Sequence, residues 1–241
     1  MTEFTFYFIF MCSFLNWSES LKTKYGLPVV SAESIFETLK QLGMANWEKA
    51  AESMPIDEYL KKNLSLEQIK EFKYLPQIEV AFFFDPGGKI FRGFRSSVED
   101  HGVVIFTLLP DGLVPVTAEF RHGCEEIILD LPGGMVEKKE NVADCAKREF
   151  EEESGIILKE IIRLSPVGTP LFARQFKLRN FSFVGIVDDP VRVQKQKLDN
   201  EEYLSIVLVP LNDWLRLIDM ERVDSHSVVT TLMTLRYLKY V

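Results

Sequence analysis

The stretch LPGGMVEKKENVADCAKREFEEESGI, residues Leu131–Ile156, sets seven carboxylates and four cations behind a pair of glycines. Asn141 is a good N-cap, and Asp144 stands three residues on, where a capping box closes. The spacing predicts a helix running to Ser154 and stopped by Gly155 in the left-handed conformation. On that helix Glu149, Glu152 and Glu153 occupy i, i+3 and i+4 and share a face. Ala143, Ala146 and Phe150 fall on another face suited to packing on a sheet. Arg148 lies one turn before Glu152 and can pair with it. Like charges at i, i+4 destabilise a helix by roughly 0.2–0.5 kcal/mol per pair. A helix built only for solubility intersperses lysines, whereas Glu149 and Glu153 are unrelieved on their face. A hard divalent cation reverses the sign of that interaction, and Mg²⁺ prefers oxygen ligands shared with substrate phosphates. The Gly133-Gly134 turn lets backbone carbonyls approach the same point with no side chain between.

The rest of the chain sets the frame. Its 241 residues suffice for one ordinary domain plus an extension, or for two small domains, and 46% hydrophobic residues supply a packed core. The formal charge of −8 repels polyanions, so nonspecific nucleic-acid binding is disfavoured. A small phosphorylated ligand remains compatible where metal ions neutralise it. Cys12, Cys124 and Cys145 are odd in number and widely spaced, which indicates neither a disulfide framework nor a zinc site. A reducing, cytoplasmic setting follows from that usage. The apolar run Phe4–Trp17 is short for a membrane span. Glu3 precedes it in place of a basic residue and no A-x-A site follows, which disfavours a secretory leader. Its aromatic content suits a buried strand. No membrane association is expected. Of the N-x-S sequons at Asn16, Asn63 and Asn180, the last leads into the core-like run FSFVGIV.

Ser31 to about Tyr74 reads helical, opening with a capping box at Ser31 to Glu33 or Ser34 and pausing at Gly43. From Gln77 the pattern turns to strands. IEVAFFF and KIFRGF flank Asp85-Pro86-Gly87-Gly88 as one hairpin, and GVVIFTLL and LVPVTAEF flank Pro110-Asp111-Gly112 as a second. Pro115 marks an edge or a bulge, because it donates no ladder bond. EIILDL, FSFVGIV and YLSIVLVP are further strands. Asn212–Ile218 and Ser225–Tyr240 read as helices, the second with Val228, Leu232 and Leu235 on one face. The economical arrangement is α/β, a mixed sheet with helices on its faces. Residues 1–75 form an N-terminal, mainly helical extension, and residues 76–241 the domain that carries the chemistry.

Gly134, Glu140 and Arg148-Glu149-Phe150-Glu151-Glu152-Glu153-Ser154-Gly155-Ile156 resemble a complete Nudix box, G-x5-E-x7-R-E-U-x-E-E-x-G-U, with U bulky and apolar. Seven fixed residues, each at roughly 5–7% frequency, coincide by chance on the order of 10⁻⁸ per window. Phe150 fills a position that is usually aliphatic, and the acids are untouched. The resemblance implies a Nudix-type α/β/α sandwich around a mixed sheet. It implies metal ligation by Glu153 above all, with Glu149 and Glu152 ligating or supporting, and by the Gly133 carbonyl. Arg148 would orient the glutamates and Glu140 would hold the loop to the helix. Mg²⁺ is the implied cofactor, with Mn²⁺ as the alternative ion.

The flanks resemble the ADP-ribose and nucleotide-sugar pyrophosphatase branch of that family. Phe120-Arg121-His122-Gly123 and Asp130-Leu131-Pro132-Gly133-Gly134 stand where the branch carries Q-Y-R-x-G and E-L-P-[AG]-G, with Glu119 and Asp130 as departures, and Pro170 lies where it places a proline. The branch places a catalytic glutamate in an acidic loop before the last core strand. Glu201 is the first candidate for that base and Glu202 the second, with Glu152 and Arg148 completing the catalytic set. Arg121 and Gly134 are the candidate substrate contacts, and Arg95 and Arg174 are further candidates for phosphate. The implied reaction is hydrolysis of a small-molecule nucleoside diphosphate sugar to a nucleoside monophosphate and a sugar phosphate. The branch is commonly dimeric through N-terminal strands, so a homodimer is the implied assembly. Two other functions stay open: a Nudix-fold nucleotide sensor without turnover, and an enzyme for nucleoside triphosphates. Intact box acids favour an enzyme over a sensor.

Overall fold

Strand β3 (His101–Thr107) buries side chains on both of its faces. Val103 and Ile105 enter one core and Val104 and Phe106 enter another, as a near-continuous apolar run allows. The protein is described as a computed structural model at residues 24–44, 78–84, 89–96, 100–121, 123–171, 177–198 and 204–240. Two compact units divide the chain: residues 1–45, 100–170 and 179–241 form one, and residues 46–99 and 171–178 the other. In the second unit β1 (Ile78–Phe84) and β2 (Ile90–Ser96) pair antiparallel, the first hairpin expected, and Arg95 lies on β2. The Phe4–Trp17 run, the helical reading beyond residue 44, the 75/76 boundary, the Asp85–Gly88 turn, His122, Arg174, Glu201 and Glu202 lie outside the described residues.

The first unit holds the α/β arrangement. Its mixed sheet centres on β3, which runs parallel to β9 (Leu178–Val187) and antiparallel to the short β6 (Gly133–Met135). Strand β7 (Leu158–Arg163) lies antiparallel on the far side of β9, and β8 (Thr169–Leu171) also pairs with β9. A second, antiparallel sheet places β4 (Leu113–Arg121) between β10 (Leu204–Pro210) and β5 (Glu126–Asp130).

Strands β3 and β4 are therefore not the hairpin that their sequence suggests. The Pro110-Asp111-Gly112 turn is present, with Leu109 N donating to Leu113 O at 2.9 Å and Gly112 N to Leu109 O at 2.9 Å. Past that turn the chain crosses from one sheet to the other, because both edges of β3 are already taken by β9 and β6. Pro115 behaves as its chemistry requires. It faces Leu208 of β10, while the β5 ladder begins only at Thr117, so β4 has a neighbour on one side at that point.

Among the described residues this unit carries the α-helices α1 (Ile35–Leu39), α2 (Val142–Ser154), α3 (Leu211–Asp219) and α4 (Ser225–Tyr237). The expected capping box before α1 forms only in part: Ser31 N donates to Ser34 Oγ at 3.1 Å, while Ser34, at the N-cap of α1, makes no side-chain cap bond. Residues 24–44 are built into the unit. Tyr25, Leu27 and Val29 join the core beneath α2, and Val30, Ile35, Leu39 and Met44 join the other core. Leu208 N donates to Pro28 O at 2.8 Å, and Val30 N to Leu208 O at 2.9 Å.

The face read for α4 is corrected. Leu235 is buried, but Leu232 is 54% exposed, and the buried side is Ser227, Thr230, Thr231 and Thr234 with Leu235. Three of those hydroxyls find partners that make burial tolerable: Ser227 on Asp130 and Leu131, Thr230 on Ser182 at 2.9 Å, and Thr231 accepting from Trp214 Nε1 at 3.0 Å. A pattern search for apolar residues does not see a helix docked through hydroxyls.

Candidate active site

Helix α2 forms where its caps place it. Asn141 Oδ1 accepts from Ala143 N at 2.8 Å, and Gly155 closes the helix at φ 68° with its N–H on Glu151 O. Cys145, Ala146 and Phe150 are fully buried beneath it, so the phenyl ring is simply core. Burial pushes the Cys145 thiol up to about 12, assisted by the charges of Glu140 and Glu149 and opposed by Arg148, so it stays protonated. The last turn leaves carbonyls without helical partners, and residues 194–197 satisfy them. Gln194 N donates to Gly155 O at 2.7 Å, Lys197 N to Glu152 O at 2.9 Å, and the Gln196 side-chain amide to Glu153 O. This strap was not legible in the sequence, because most of its bonds come from backbone groups of an irregular segment.

Arg148 is the hub of the acids. Its Nε and Nη2 bind Glu140 at 2.8 and 3.0 Å as a fork, Nη1 binds Glu152 at 3.1 Å, and Nη2 lies 2.9 Å from Glu149. The guanidinium pKa is raised above its ordinary value, chiefly by the hydrogen bond to Glu140 and against the effect of burial. The same bond holds Glu140 down to about 2, opposed by burial and helped by Glu137 N, which donates to Glu140 Oε2 at 3.0 Å. Glu140 thus ties the loop before α2 to the helix itself. A carboxylate pKa depressed from 4.5 to about 2 contributes stability that is present above pH 4.5 and lost as pH falls towards 2. Glu140→Gln is expected to lower the urea midpoint at pH 7. The gap from wild type should close between pH 4.5 and 2; a gap unchanged over that window would refute the assignment.

The glycine pair brings the loop onto the same acids. Gly133 N donates to Glu153 Oε2 at 2.9 Å, and Glu153 is only 7% exposed. A Cβ on Gly133 would stand 2.1 Å from the backbone oxygen of Val103. A Cβ on Gly134 would instead meet the Glu149 carboxylate, at 2.4 to 2.7 Å. The two alanine variants should therefore fail differently. Gly133→Ala collides with a β3 carbonyl that cannot move, so it should cost about 1–3 kcal/mol of stability or more. Gly134→Ala meets the far end of a flexible side chain, so it should keep the fold and lose activity as Glu149 is displaced. Urea melts and turnover of both variants check this; the reverse pattern would contradict it.

The structure thus brings together Arg148, Glu149, Glu152, Glu153, Gly133 and Gly134. The carboxylate oxygens of Glu149, Glu152 and Glu153 are hard donors of the kind Mg²⁺ and Mn²⁺ take. Among the described residues no three His, Cys, Asp or Glu side chains stand in a metal-holding group. Glu149 and Glu152 are instead turned onto Arg148, and Glu153 onto Gly133 N. The donor chemistry fits a divalent cation; binding one requires these carboxylates to exchange a partner.

Arg121 lies at the end of β4, with Nη1 2.9 Å from Glu119 and Nη2 3.1 Å from Asp130. Asp130 is raised to about 6, first by burial and then by Asp224, against its bonds to Ser227 and Arg121. Its shorter side chain still reaches Ser227 Oγ and its own neighbour Leu131 N at 2.9 Å. That link to α4 went unseen in the sequence, where Asp130 and Ser227 stand far apart.

A family model described as NUDIX domain matches residues 99–230. The chain is 28% identical over 170 residues to an ADP-ribose pyrophosphatase of Bacillus subtilis, covering 68% of this chain and 85% of that protein. It is 24% identical over 172 residues to a methanol dehydrogenase activator of Bacillus methanolicus, covering 70% and 89%. A solved structure described as an ADP compounds hydrolase aligns with TM-score 0.60 at 20% identity, covering 69% of this chain and 88% of that one, a likeness of fold.

Proposed function

The chain belongs to the NUDIX domain family, and from that premise we propose that it is a divalent-metal-dependent hydrolase that cleaves the pyrophosphate of a nucleoside diphosphate sugar, ADP-ribose or an ADP- or UDP-sugar. The observation that carries the reading is the acid cluster itself. Glu149, Glu152 and Glu153 share one stretch of α2, the first two held by Arg148 and Glu153 held by Gly133 N, with Gly134 against Glu149. The similarity to an ADP-ribose pyrophosphatase supports the choice of substrate class.

Glu149, Glu152, Glu153 and the Gly133 carbonyl would hold the metal, Mg²⁺ in the first instance. When bound, it neutralises pyrophosphate charge and lowers the pKa of a coordinated water. The chain's own residues do the rest. Arg148 holds Glu152 through Nη1 and Glu149 through Nη2, while its fork is anchored on Glu140. Glu201, or failing it Glu202, takes the proton of the attacking water. Arg121 meets a phosphate oxygen through its terminal nitrogens by exchanging Glu119 or Asp130. A nucleoside monophosphate and a sugar phosphate leave.

The proposal extends to a cytoplasmic homodimer that binds neither nucleic acid nor membrane. Cys124 and Cys145 are free thiols, and among the described residues no helix is long and apolar enough to cross a membrane. The test is a panel of sugar nucleotides, dinucleotides and triphosphates with Mg²⁺ and with Mn²⁺, read by product identity. Sugar nucleotides cut fastest, with turnover abolished by chelator, is the expected result. Binding without turnover would indicate a sensor, and preferred release of inorganic pyrophosphate from triphosphates would move the substrate class.

A further inference from the structure

Ser227 stands in the first turn of α4, is fully buried, and is used twice. Its Oγ accepts from Leu131 N at 2.6 Å and donates to Asp130 Oδ1. The residues before it reinforce the contact. Leu129 N donates to Arg222 O at 3.1 Å, Asp224 N donates to Leu129 O at 2.9 Å, and Val223 forms a parallel bridge with Leu129. The segment from Arg222 to Ser227 is therefore a clamp laid along the end of β5.

That end is the entry to the glycine loop. Leu131 is buried, Pro132 O accepts from Ile105 N at 2.9 Å, and Gly133 N reaches Glu153 at 2.9 Å. Three successive residues are thus pinned from three elements: Leu131 from α4, Pro132 from β3, and Gly133 from α2. The other bonded hydroxyls of α4 serve different neighbours, Thr230 meeting Ser182 and Thr231 meeting Trp214. Only Ser227, among these, bonds the segment that carries the loop.

We propose that Ser227 is a positioning residue for the metal-binding acids, fixing Leu131 so that the Leu131–Gly133 segment presents its amide to Glu153. The inference rests on the reading of Glu153 as a metal ligand in a hydrolase. It adds a contact from the C-terminal helix that the box itself does not contain. Leu131 N keeps Asp130 Oδ1 at 2.9 Å when the hydroxyl is removed, so Ser227→Ala leaves no orphaned amide there. The loop loses its tie to α4.

The test uses the full chain and Mn²⁺ as the probe, followed by electron paramagnetic resonance, alongside kcat and KM for the best sugar nucleotide. Thr231→Ala is the control, since it deletes a buried hydroxyl bond on the same helix without touching the loop. Ser227→Ala is expected to weaken Mn²⁺ binding about 10–100-fold, the range for a partner that orients a ligand. It should lower kcat with little change in KM. Thr231→Ala should bind Mn²⁺ as wild type does, even where its Tm falls. Ser227→Cys, which fills the site with a weak donor, should shift Mn²⁺ binding in the same direction and decides the matter if the alanine variant does not fold. Wild-type Mn²⁺ affinity in the Ser227 variants, with stability alone reduced, overturns the inference while leaving the hydrolase reading intact. A wild-type chain that binds no Mn²⁺ overturns both.

Discussion

Glu153→Gln is expected to leave a folded protein with turnover reduced by about 10²–10³, the equivalent of several kcal/mol of lost transition-state stabilisation. The fold should survive for two reasons. The amide oxygen of Gln can accept the Gly133 N–H that Glu153 accepts at 2.9 Å, so the loop contact is kept. Removing the charge also relieves repulsion with Glu149 at i, i+4, worth roughly 0.2–0.5 kcal/mol. What is lost is an anionic oxygen for the cation. A Tm at or above the wild-type value together with a collapsed kcat is the expected signature. Near-normal turnover would remove Glu153 from the metal site.

Glu201→Gln is expected to lower kcat by about 10²–10⁴, as loss of a general base does, while KM moves little, because the substrate phosphates stay bound elsewhere. Glu202→Gln should do much less. These two glutamates lie outside the described residues, and their flanks supply the support. Lys197 N is bonded to Glu152 O, and Leu204 is paired with Glu119 on β4. The described flanks are thus held, one by the helix of acids and the other by the strand that ends at Arg121. Effects reversed between the two variants would move the base by one residue; no effect in either would place it elsewhere.

Helix α2 was legible because every signal for it is local. Asn141 and Gly155 cap it, Ala146 and Phe150 face the core, and the spacing of Glu149, Glu152 and Glu153 fixes their common face before any tertiary contact is considered. Most strand positions were legible for the same reason. Their partners were not. GVVIFTLL and LVPVTAEF, joined by Pro-Asp-Gly, have the pattern and turn of a hairpin, yet β3 spends both edges on β6 and β9. Patterning reports burial, whereas pairing is decided by competition among distant strands. Strand β6 is three residues of a glycine turn and exists only because β3 lies beside it. Residues 24–44 carry no motif, but Leu27, Val29 and Ile35 close two cores. Ser227 and the strap at residues 194–197 were invisible for a related reason: their roles consist of bonds to loop and helix-end backbone groups remote in sequence.

The proposed hydrolysis requires water to attack the pyrophosphate at phosphorus. Hydrolysis of ADP-ribose, or of the best sugar nucleotide in the panel, in ¹⁸O-water with Mg²⁺ tests it directly by mass spectrometry of the products. The expected products are a nucleoside monophosphate and a sugar phosphate, with label on one of the two phosphates and none on the sugar carbon. Label on the anomeric carbon, or free sugar with an intact nucleoside diphosphate, would contradict it.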